Sequence, residues 1–216
     1  DGLYRSEWSM LFFTPVADDF GSPYTSFTFT MSDNILGSES ALATATINVV
    51  AVNDAPTAVD DVAVTDEDTA VVVDVLTNDL DVEGDALTVS GVTQGANGAV
   101  SFTGNDVTYT PTLNFNGVDT FTYTITDGEF TSTATVSVAV NAMNDAPVAD
   151  AQSPIVDEDS VDNEITLTGS DVDGDALTFT VMIAPAHGTL SGAAPNLLYT
   201  PTPDYVGADS FEFVVN

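Results

Sequence analysis

The chain has no cysteine and almost no basic residues. Without cysteine it can form no disulfide, no thiolate metal site and no cysteine nucleophile. Lys and Arg together number 1 among 216 residues, whereas Asp and Glu number 34, so the formal net charge is -33. Binding to nucleic acid is excluded, because a binding protein needs cations to neutralise the phosphates. The same deficit argues against docking on anionic lipid.

Histidine and long apolar segments are scarce as well. The single histidine, His187, makes a histidine-based triad or a zinc site improbable. No apolar run reaches the ~18 residues that a membrane span needs, so no span is predicted. The hydrophobic fraction of 44% is nevertheless too high for a disordered acidic tail. The chain is therefore predicted to fold.

The unbalanced acidic charge has to be accommodated in the folded state. Unpaired carboxylates repel one another and destabilise a compact chain. High external salt or bound divalent cations would relieve this repulsion. Clustered carboxylates favour the cations, and clusters are prominent in this sequence.

An internal repeat organises the chain, with a period of about 90 residues. The paired segments are Asn-Asp-Ala-Pro at 53–56 and 144–147, Asp-Glu-Asp at 66–68 and 157–159, Asp-Val-Asp/Glu-Gly-Asp at 81–85 and 171–175, and Tyr-Thr-Pro at 109–111 and 199–201. The segment before Asp54 carries only the last part of the pattern. The sequence predicts the C-terminal part of one repeat in 1–53, a complete repeat in 54–144, and a repeat lacking its last strand in 145–216.

Each repeat has the pattern of an all-β domain. Val62, Val64, Val71 and Val73 alternate with mostly polar neighbours, which is typical of half-buried strands. No long stretch has helical period. The predicted strands of the complete repeat, A to G, are 58–65, 69–76, 86–94, 98–102, 106–110, 119–127 and 131–141. Seven short strands indicate a two-sheet, immunoglobulin-like Greek-key β-sandwich, and the repeats are predicted to form an end-to-end string.

The sandwich predicts which acidic side chains meet. In an antiparallel sandwich the A–B turn lies at the C-terminal pole and the B–C loop at the N-terminal pole. The A–B turn of the middle repeat should therefore face the B–C loop of the last repeat across the linker. The predicted ligands are Asp66, Glu67, Asp68, Asp119, Asn144, Asp145, Asp171, Asp173 and Asp175. Calcium, which takes 6–8 oxygen ligands at ~2.3–2.6 Å, fits this oxygen-only set better than magnesium does.

A second, less complete set is predicted at the preceding junction. There Asp18 and Asp19 should face the linker and the B–C loop of the middle repeat. The predicted ligands of this set are Asn53, Asp54, Asp81, Glu83 and Asp85. No acidic A–B turn is available, because that part of the first repeat is absent.

Two other interpretations apply to the Asp-x-Asp-Gly-Asp loops. They could be plain turns, in which Asp accepts local backbone hydrogen bonds and Gly supplies a positive φ. They also look like the start of an EF-hand, but neither copy has a Glu at loop position 12 or flanking helices. Recurrence of three acidic clusters in register favours calcium over the turn interpretation.

These motifs together resemble the cadherin-like tandem repeats of very large bacterial adhesins and related surface proteins. The resemblance covers nearly the whole chain and implies calcium between successive domains. It carries the ligand role to Glu67, Asn144, Asp145, Asp171 and Asp173. The Asp-Arg-Glu motif of vertebrate cadherins is missing, and its nearest counterpart lies around Asp119.

The function predicted from this architecture is non-enzymatic. The chain is expected to be a secreted or bacterial cell-surface module, either a calcium-rigidified extender of a large adhesin or a filament subunit. Its expected partners are neighbouring repeats or copies of itself. The alternative is a recognition module for surface carbohydrate or protein, although most aromatic residues fall on core-facing stripes. A glycosidase is disfavoured, because the paired carboxylates lie at repeat junctions rather than in a cleft.

The incomplete repeats at the two ends of the chain allow two explanations. One is that the sequence is a window cut from a much longer polyprotein. The other is that the N-terminal strands of one chain complete the C-terminal repeat of the next, which would build a filament.

Overall fold

The computed structural model describes residues 11–31 and 39–216, so residues 1–10 and 32–38 of the predicted 1–53 segment lie outside the described residues. The described residues form sixteen β-strands and no helix. No helix suited to crossing a membrane is found in them. The strands are β1 Gly21–Phe29, β2 Ala43–Val49, β3 Asp61–Asp66, β4 Val71–Val73, β5 Thr88–Val92, β6 Gly98–Thr103, β7 Asp106–Pro111, β8 Gly117–Thr126, β9 Thr131–Asn141, β10 Val148–Ala149, β11 Asn163–Thr166, β12 Gly169–Ser170, β13 Phe179–Ile183, β14 Gly188–Ala193, β15 Asn196–Pro201 and β16 Glu212–Val215.

The fold consists of two compact units. The first comprises Asp1–Thr65, Thr69–Pro111 and Val118–Ala139, and the second comprises Asp66–Asp68, Thr112–Gly117 and Val140–Asn216. The acidic turn at Asp66–Asp68 thus belongs to the second unit, although its neighbours in sequence belong to the first.

The middle repeat is the two-sheet sandwich that the strand pattern predicts. One sheet has the order β3-β9-β8-β5 and the other the order β4-β7-β6. All seven predicted strands are present, as β3 to β9. The all-β, Greek-key prediction is therefore confirmed.

The core of the middle repeat follows the period of two along its strands. In β8, Phe121, Tyr123 and Ile125 are buried, and in β9 Val136 and Val138 are buried. The ring of Tyr109 in β7 stacks on that of Phe121 at 6.0 Å, which joins the two sheets. Side chains from both sheets thus form one core.

Strand β3 directs its valines outward and its polar side chains inward. Val62 and Val64 are 83% and 63% exposed, whereas Thr65 is buried and Asp61 is half-buried. Because successive side chains alternate, a polar group directed inward at one position turns both valines outward. Both valines thus lie outside the core.

The other parts have smaller sheets. The last repeat contains β11-β15-β14, β13-β16 and β10-β12. Its core is Ile165, Leu167, Leu197 and Tyr199, with Phe179, Phe211 and Phe213 packed against it. Near the N-terminus, β1 pairs antiparallel with β2.

Candidate metal centre

Asp145 is the central acid of the candidate site in the second unit. Its backbone N–H donates to Oδ2 of Asp173 at 2.7 Å. Its own Oδ2 is buried and has no hydrogen-bond partner. Burial raises the pKa of Asp145, and neighbouring carboxylates raise it further. Those neighbours are Asp173, Asp68, Glu67 and Asp171. This concentration of negative charge around an unpaired oxygen is what a cation would relieve.

Glu67 is held by the residues that lead into the linker. It is only 5% exposed. Its backbone N–H donates to the carbonyl of Asn141 at 2.9 Å, and its Oε1 accepts a short hydrogen bond from the N–H of Met143. Its counterpart Glu158 is exposed. Of the two copies of this turn, the one next to the linker is therefore the one with a buried carboxylate.

Asp66 and Asp68 have local roles beside Glu67. Oδ1 of Asp66 accepts a hydrogen bond from Asn141 Nδ2 at 3.0 Å. Asp68 has a φ of 58°, and its Oδ1 accepts from the N–H of Asn114 at 2.9 Å. Asp159 makes the same bond to the N–H of Asp204. Because the pair recurs, turn chemistry accounts for one oxygen of Asp68.

The loop at 171–175 is a tight turn built on its first acid. Oδ1 of Asp171 accepts from the N–H groups of Asp173 at 2.9 Å and of Asp175 at 3.2 Å. Gly174 has a φ of 81°, which glycine adopts without strain. The turn interpretation is thus correct for one oxygen of Asp171. It leaves the carboxylates of Asp173 and Asp175 for other partners.

The linker lies beside this loop. Asn144 Nδ2 donates to the carbonyl of Asp145 at 3.0 Å. A cavity of about 370 Å³ opens at this place in the second unit. Its lining residues are Asn114, Asp145, Ala146, Val148, Ser170, Asp171 and Val172. Asn114 is a contributor that the sequence motifs did not indicate.

Asp119 does not take part in this cluster. It is 4% exposed, and its Oδ2 accepts hydrogen bonds from Tyr109 Oη at 2.9 Å and from the N–H of Asn97 at 2.8 Å. Its Oδ1 accepts from the N–H groups of Ala96 and Thr120. Both oxygens are used within the middle repeat, so the structure does not place Asp119 as a ligand.

The acids around the first linker show the same design within the first unit. The N–H of Asp54 donates to Glu83 Oε2 at 3.2 Å, as that of Asp145 does to Asp173. Oδ1 of Asp81 accepts from the N–H groups of Glu83 and Asp85, both at 3.0 Å. Oδ2 of Asp81 is buried without a partner.

Two further features of this region differ from the sequence prediction. Asn53 Nδ2 donates to Asp127 Oδ2 at 3.0 Å, which adds an acid that the motifs did not include. The Asp127-Gly128 turn at the same pole was the available signal. Asp19 accepts a hydrogen bond from Tyr24 Oη at 2.9 Å, and Asp18 has a φ of 60°, so both serve their own turn.

No three His, Cys, Asp or Glu side chains among residues 11–31 and 39–216 are already grouped closely enough to hold a metal ion. The candidate centre is thus a set of neighbouring acids with an unpaired buried oxygen. A cation would have to draw its ligands together.

Comparison with protein families identifies the repeats. The sequence model of the bacterial Ig domain matches residues 53–139 and again residues 144–216. The chain belongs to the bacterial Ig domain family. Bacterial Ig domains are typically modules of extracellular or surface proteins. No curated protein sequence matches the chain significantly.

The solved structures that the chain resembles come from different kinds of protein. Human CDH23 EC21-23 is 15% identical, with a TM-score of 0.47, over 86% of this chain and 70% of that one. Human protocadherin-24 EC1-2 is 15% identical, with a TM-score of 0.46, over 74% and 86%. An endo-fucoidan hydrolase of glycoside hydrolase family 107 is 20% identical, with a TM-score of 0.36, over 89% of this chain. The bacterial Ig domains align with only 32% of that hydrolase.

Proposed function

We propose that these bacterial Ig domains form a calcium-rigidified extender segment of an extracellular adhesin or filament. The observation that carries the proposal is the buried, unpartnered Oδ2 of Asp145 among four neighbouring carboxylates. An oxygen-only, strongly negative set of this kind suits calcium. Membership of the bacterial Ig domain family supports an extracellular location. Calcium binding, and the stiffening of the linker by calcium, are proposals.

The candidate residues would supply the calcium ligands from two places, the linker with its acidic turn and the neighbouring loop. Asp145, with its unpaired oxygen, and Glu67, which is buried beside the linker, would be the central ligands. Asp171 and Asp173 would add carboxylate oxygens from the neighbouring loop. Calcium would supply the positive charge that this acidic region lacks, and it would thereby restrict the linker at 144–147.

Calcium binding also accounts for the charge of the whole chain. A formal charge of -33 destabilises a compact state through self-repulsion. A ligand that binds only the folded state stabilises it, by about 2.7 kcal/mol for one site at a free concentration of 100 Kd. A module in a calcium-rich medium would then be stiff, and one deprived of calcium would be loose.

The test compares wild type with Asp145→Asn in calcium and in excess chelator. We expect calcium to raise the melting temperature of the wild type by several degrees and that of Asp145→Asn by much less. Small-angle scattering should show a narrower distance distribution with calcium in the wild type alone. Asp106→Asn, which removes one exposed charge at the start of β7, is the matched control and should behave as the wild type does. A wild type whose melting and scattering ignore calcium would refute the proposal.

A further inference from the structure

A separate polar group lies inside the middle repeat. It consists of Asp61 in β3, Asp79 in the loop after β4, and Tyr123 in β8, and is called the inner acidic group below. Asp79 is only 8% exposed. Its Oδ2 and that of Asp61 are both buried without a hydrogen-bond partner. None of these three residues belongs to the candidate ligands around the linkers.

The inner acidic group contains more acceptors than donors. Tyr123 Oη lies 2.8 Å from the carbonyl of Val59, 2.9 Å from Asp79 Oδ1 and 3.2 Å from the carbonyl of Val75. A phenol carries one proton and can satisfy only one of these oxygens. The N–H of Val59 reaches Asp79 Oδ1 at 2.8 Å, which still leaves Oδ2 unpaired. Positive charge is therefore missing from the centre of the group.

The two carboxylates also act on each other. Burial raises the pKa of Asp61, a hydrogen bond with Tyr123 lowers it, and the charges of Asp79 and Asp60 raise it again. The Asn78 side chain lies beside Asp61 as well and lowers the same pKa. A buried and a half-buried acid that share one phenol and repel each other are costly unless something compensates them.

The last repeat shows that the sandwich does not need this group. By the spacing of the flanking motifs, Gln152, Gly169 and Phe213 stand where the middle repeat has Asp61, Asp79 and Tyr123. Gln152 donates to the carbonyl of Thr166 at 2.8 Å, and Phe213 packs against the apolar core. All three polar members are thus replaced together in a repeat of the same family. A purely structural requirement of the fold does not explain their presence in the middle repeat.

We propose that the inner acidic group binds one divalent cation, calcium, within the middle repeat. The carboxylates of Asp61 and Asp79 supply two negative charges, which one divalent ion neutralises, and the unpaired Oδ2 atoms are the oxygens available to it. The carbonyls of Val59 and Val75 and the hydroxyl of Tyr123 are the other oxygens of the group, and all of them are hard donors that calcium accepts.

The site has a consequence for the neighbouring loop. Asp79 stands two residues before Asp81, in the same loop as Glu83 and Asp85. An ion held by Asp79 would fix the start of this loop, and with it the acids beside the first linker. The inner site is thus distinct from the linker sites, although it supports one of them.

Calcium binding by the full chain tests the proposal through stoichiometry. Native mass spectrometry and calorimetry would compare wild type, Asp61→Asn and the exposed control Asp74→Asn, all stripped with chelator and titrated with calcium in potassium buffer. Asp61→Asn should bind one calcium ion fewer than the wild type, and Asp74→Asn the same number. Calcium should perturb the tyrosine absorption of the wild type, and Tyr123→Phe should lose that perturbation. The proposal would be overturned if Asp61→Asn bound as many calcium ions as the wild type, or if sodium filled the site as completely as calcium does.

Stability provides a second readout. In chelator, Asp61→Asn should be more stable than the wild type because the repulsion is removed, and in saturating calcium the order should reverse. If Asp61→Asn is the more stable protein in both conditions, the group holds a proton and the proposal is wrong. Asp145→Asn keeps the inner acidic group intact. If calcium stabilises Asp61→Asn as it does the wild type but no longer stabilises Asp145→Asn, the result supports the linker site and not the inner site. Loss of one ion in Asp61→Asn alone supports only the inner site.

Discussion

Tyr109 Oη donates a hydrogen bond to Asp119 Oδ2 at 2.9 Å inside the middle repeat. Burial raises the pKa of the Tyr109 phenol, and the hydrogen bond and charge of Asp119 raise it further. Tyr199 and Asp209 repeat the bond at 2.9 Å in the last repeat, where the pKa of Tyr199 rises to about 12. The pair is thus shared by the middle and last repeats, and it explains why Tyr-Thr-Pro and the following aspartate recur together in them.

The Asp119 carboxylate also holds the β5–β6 loop, which gives the first prediction. Asp119→Ala would leave the N–H groups of Ala96 and Asn97 without their acceptor, and each buried unpaired donor costs about 1–3 kcal/mol. We expect a loss of about 3 kcal/mol in the free energy of unfolding of the middle repeat, measured by urea titration. Asp209→Ala is the matched variant and should lose less, because its bonds to Ala186 and His187 are exposed to water. Equal losses in the two variants would contradict this explanation.

Acid should weaken the same contacts. Burial raises the pKa of Asp119, but hydrogen bonds from the N–H of Asn97, from Tyr109 and from two further N–H groups outweigh it, so the pKa is lowered overall. The pKa of Asp209 is lowered in the same way. A lowered folded-state pKa gives stability that is present above the unfolded value, about 3.9, and is lost as pH falls through the folded value.

We therefore expect the free energy of unfolding to fall below about pH 4, and Asp119→Asn should show a shallower fall. Urea titrations at a series of pH values in chelator measure this slope. The same slope in Asp119→Asn and wild type would show that other acids dominate.

Any side chain at Gly98 is predicted to clash with the ring of Tyr109 and to destabilise the middle repeat. A Cβ at Gly98 would lie 2.4 Å from Cε2 of the Tyr109 ring, and a Cβ at Gly188 would meet Tyr199 in the same way. Overpacking of this kind costs about 1–3 kcal/mol, so Gly98→Ala should lower the melting temperature clearly. Gly91→Ala is the control, since its Cβ would meet nothing within 4 Å. If both variants melt at the wild-type temperature, the ring moves aside without cost.

Glu67 and Glu158 form a matched pair for calcium. Glu67 is buried beside the linker, and Glu158 occupies the same place in an exposed turn. We expect Glu67→Gln to weaken calcium affinity about tenfold or more, which corresponds to about 1.4 kcal/mol, and Glu158→Gln to leave it unchanged. Calorimetric titration measures both. Comparable losses in the two variants would mean that the effect is one of overall charge.

Much of the fold could be predicted from the sequence because its signals are local. Alternating Val and aromatic residues set strands β4 to β9, and the recurring Asn-Asp-Ala-Pro and Asp-Glu-Asp segments set the repeat. The turn at 171–175 depends on Asp171 and Gly174, which act on their own backbone neighbours. Signals of this kind need no knowledge of the tertiary structure.

The tertiary structure decided what depends on distant partners. The orientation of β3 depends on the interaction of Asp61 with Tyr123, which is 62 residues further along the chain. An alternation pattern within one strand does not contain that information. Asp119 was predicted from the sequence to be a metal ligand, but two of its hydrogen bonds come from Ala96 and Asn97 in a loop more than 20 residues earlier. Packing decides whether a carboxylate is surrounded by water, by backbone N–H groups or only by other acids. An exposed carboxylate can always form hydrogen bonds with water, whereas a buried one depends on the groups packed around it. The sequence therefore determined the sandwich and its acidic loops, and packing alone determined which carboxylate oxygens lack a partner.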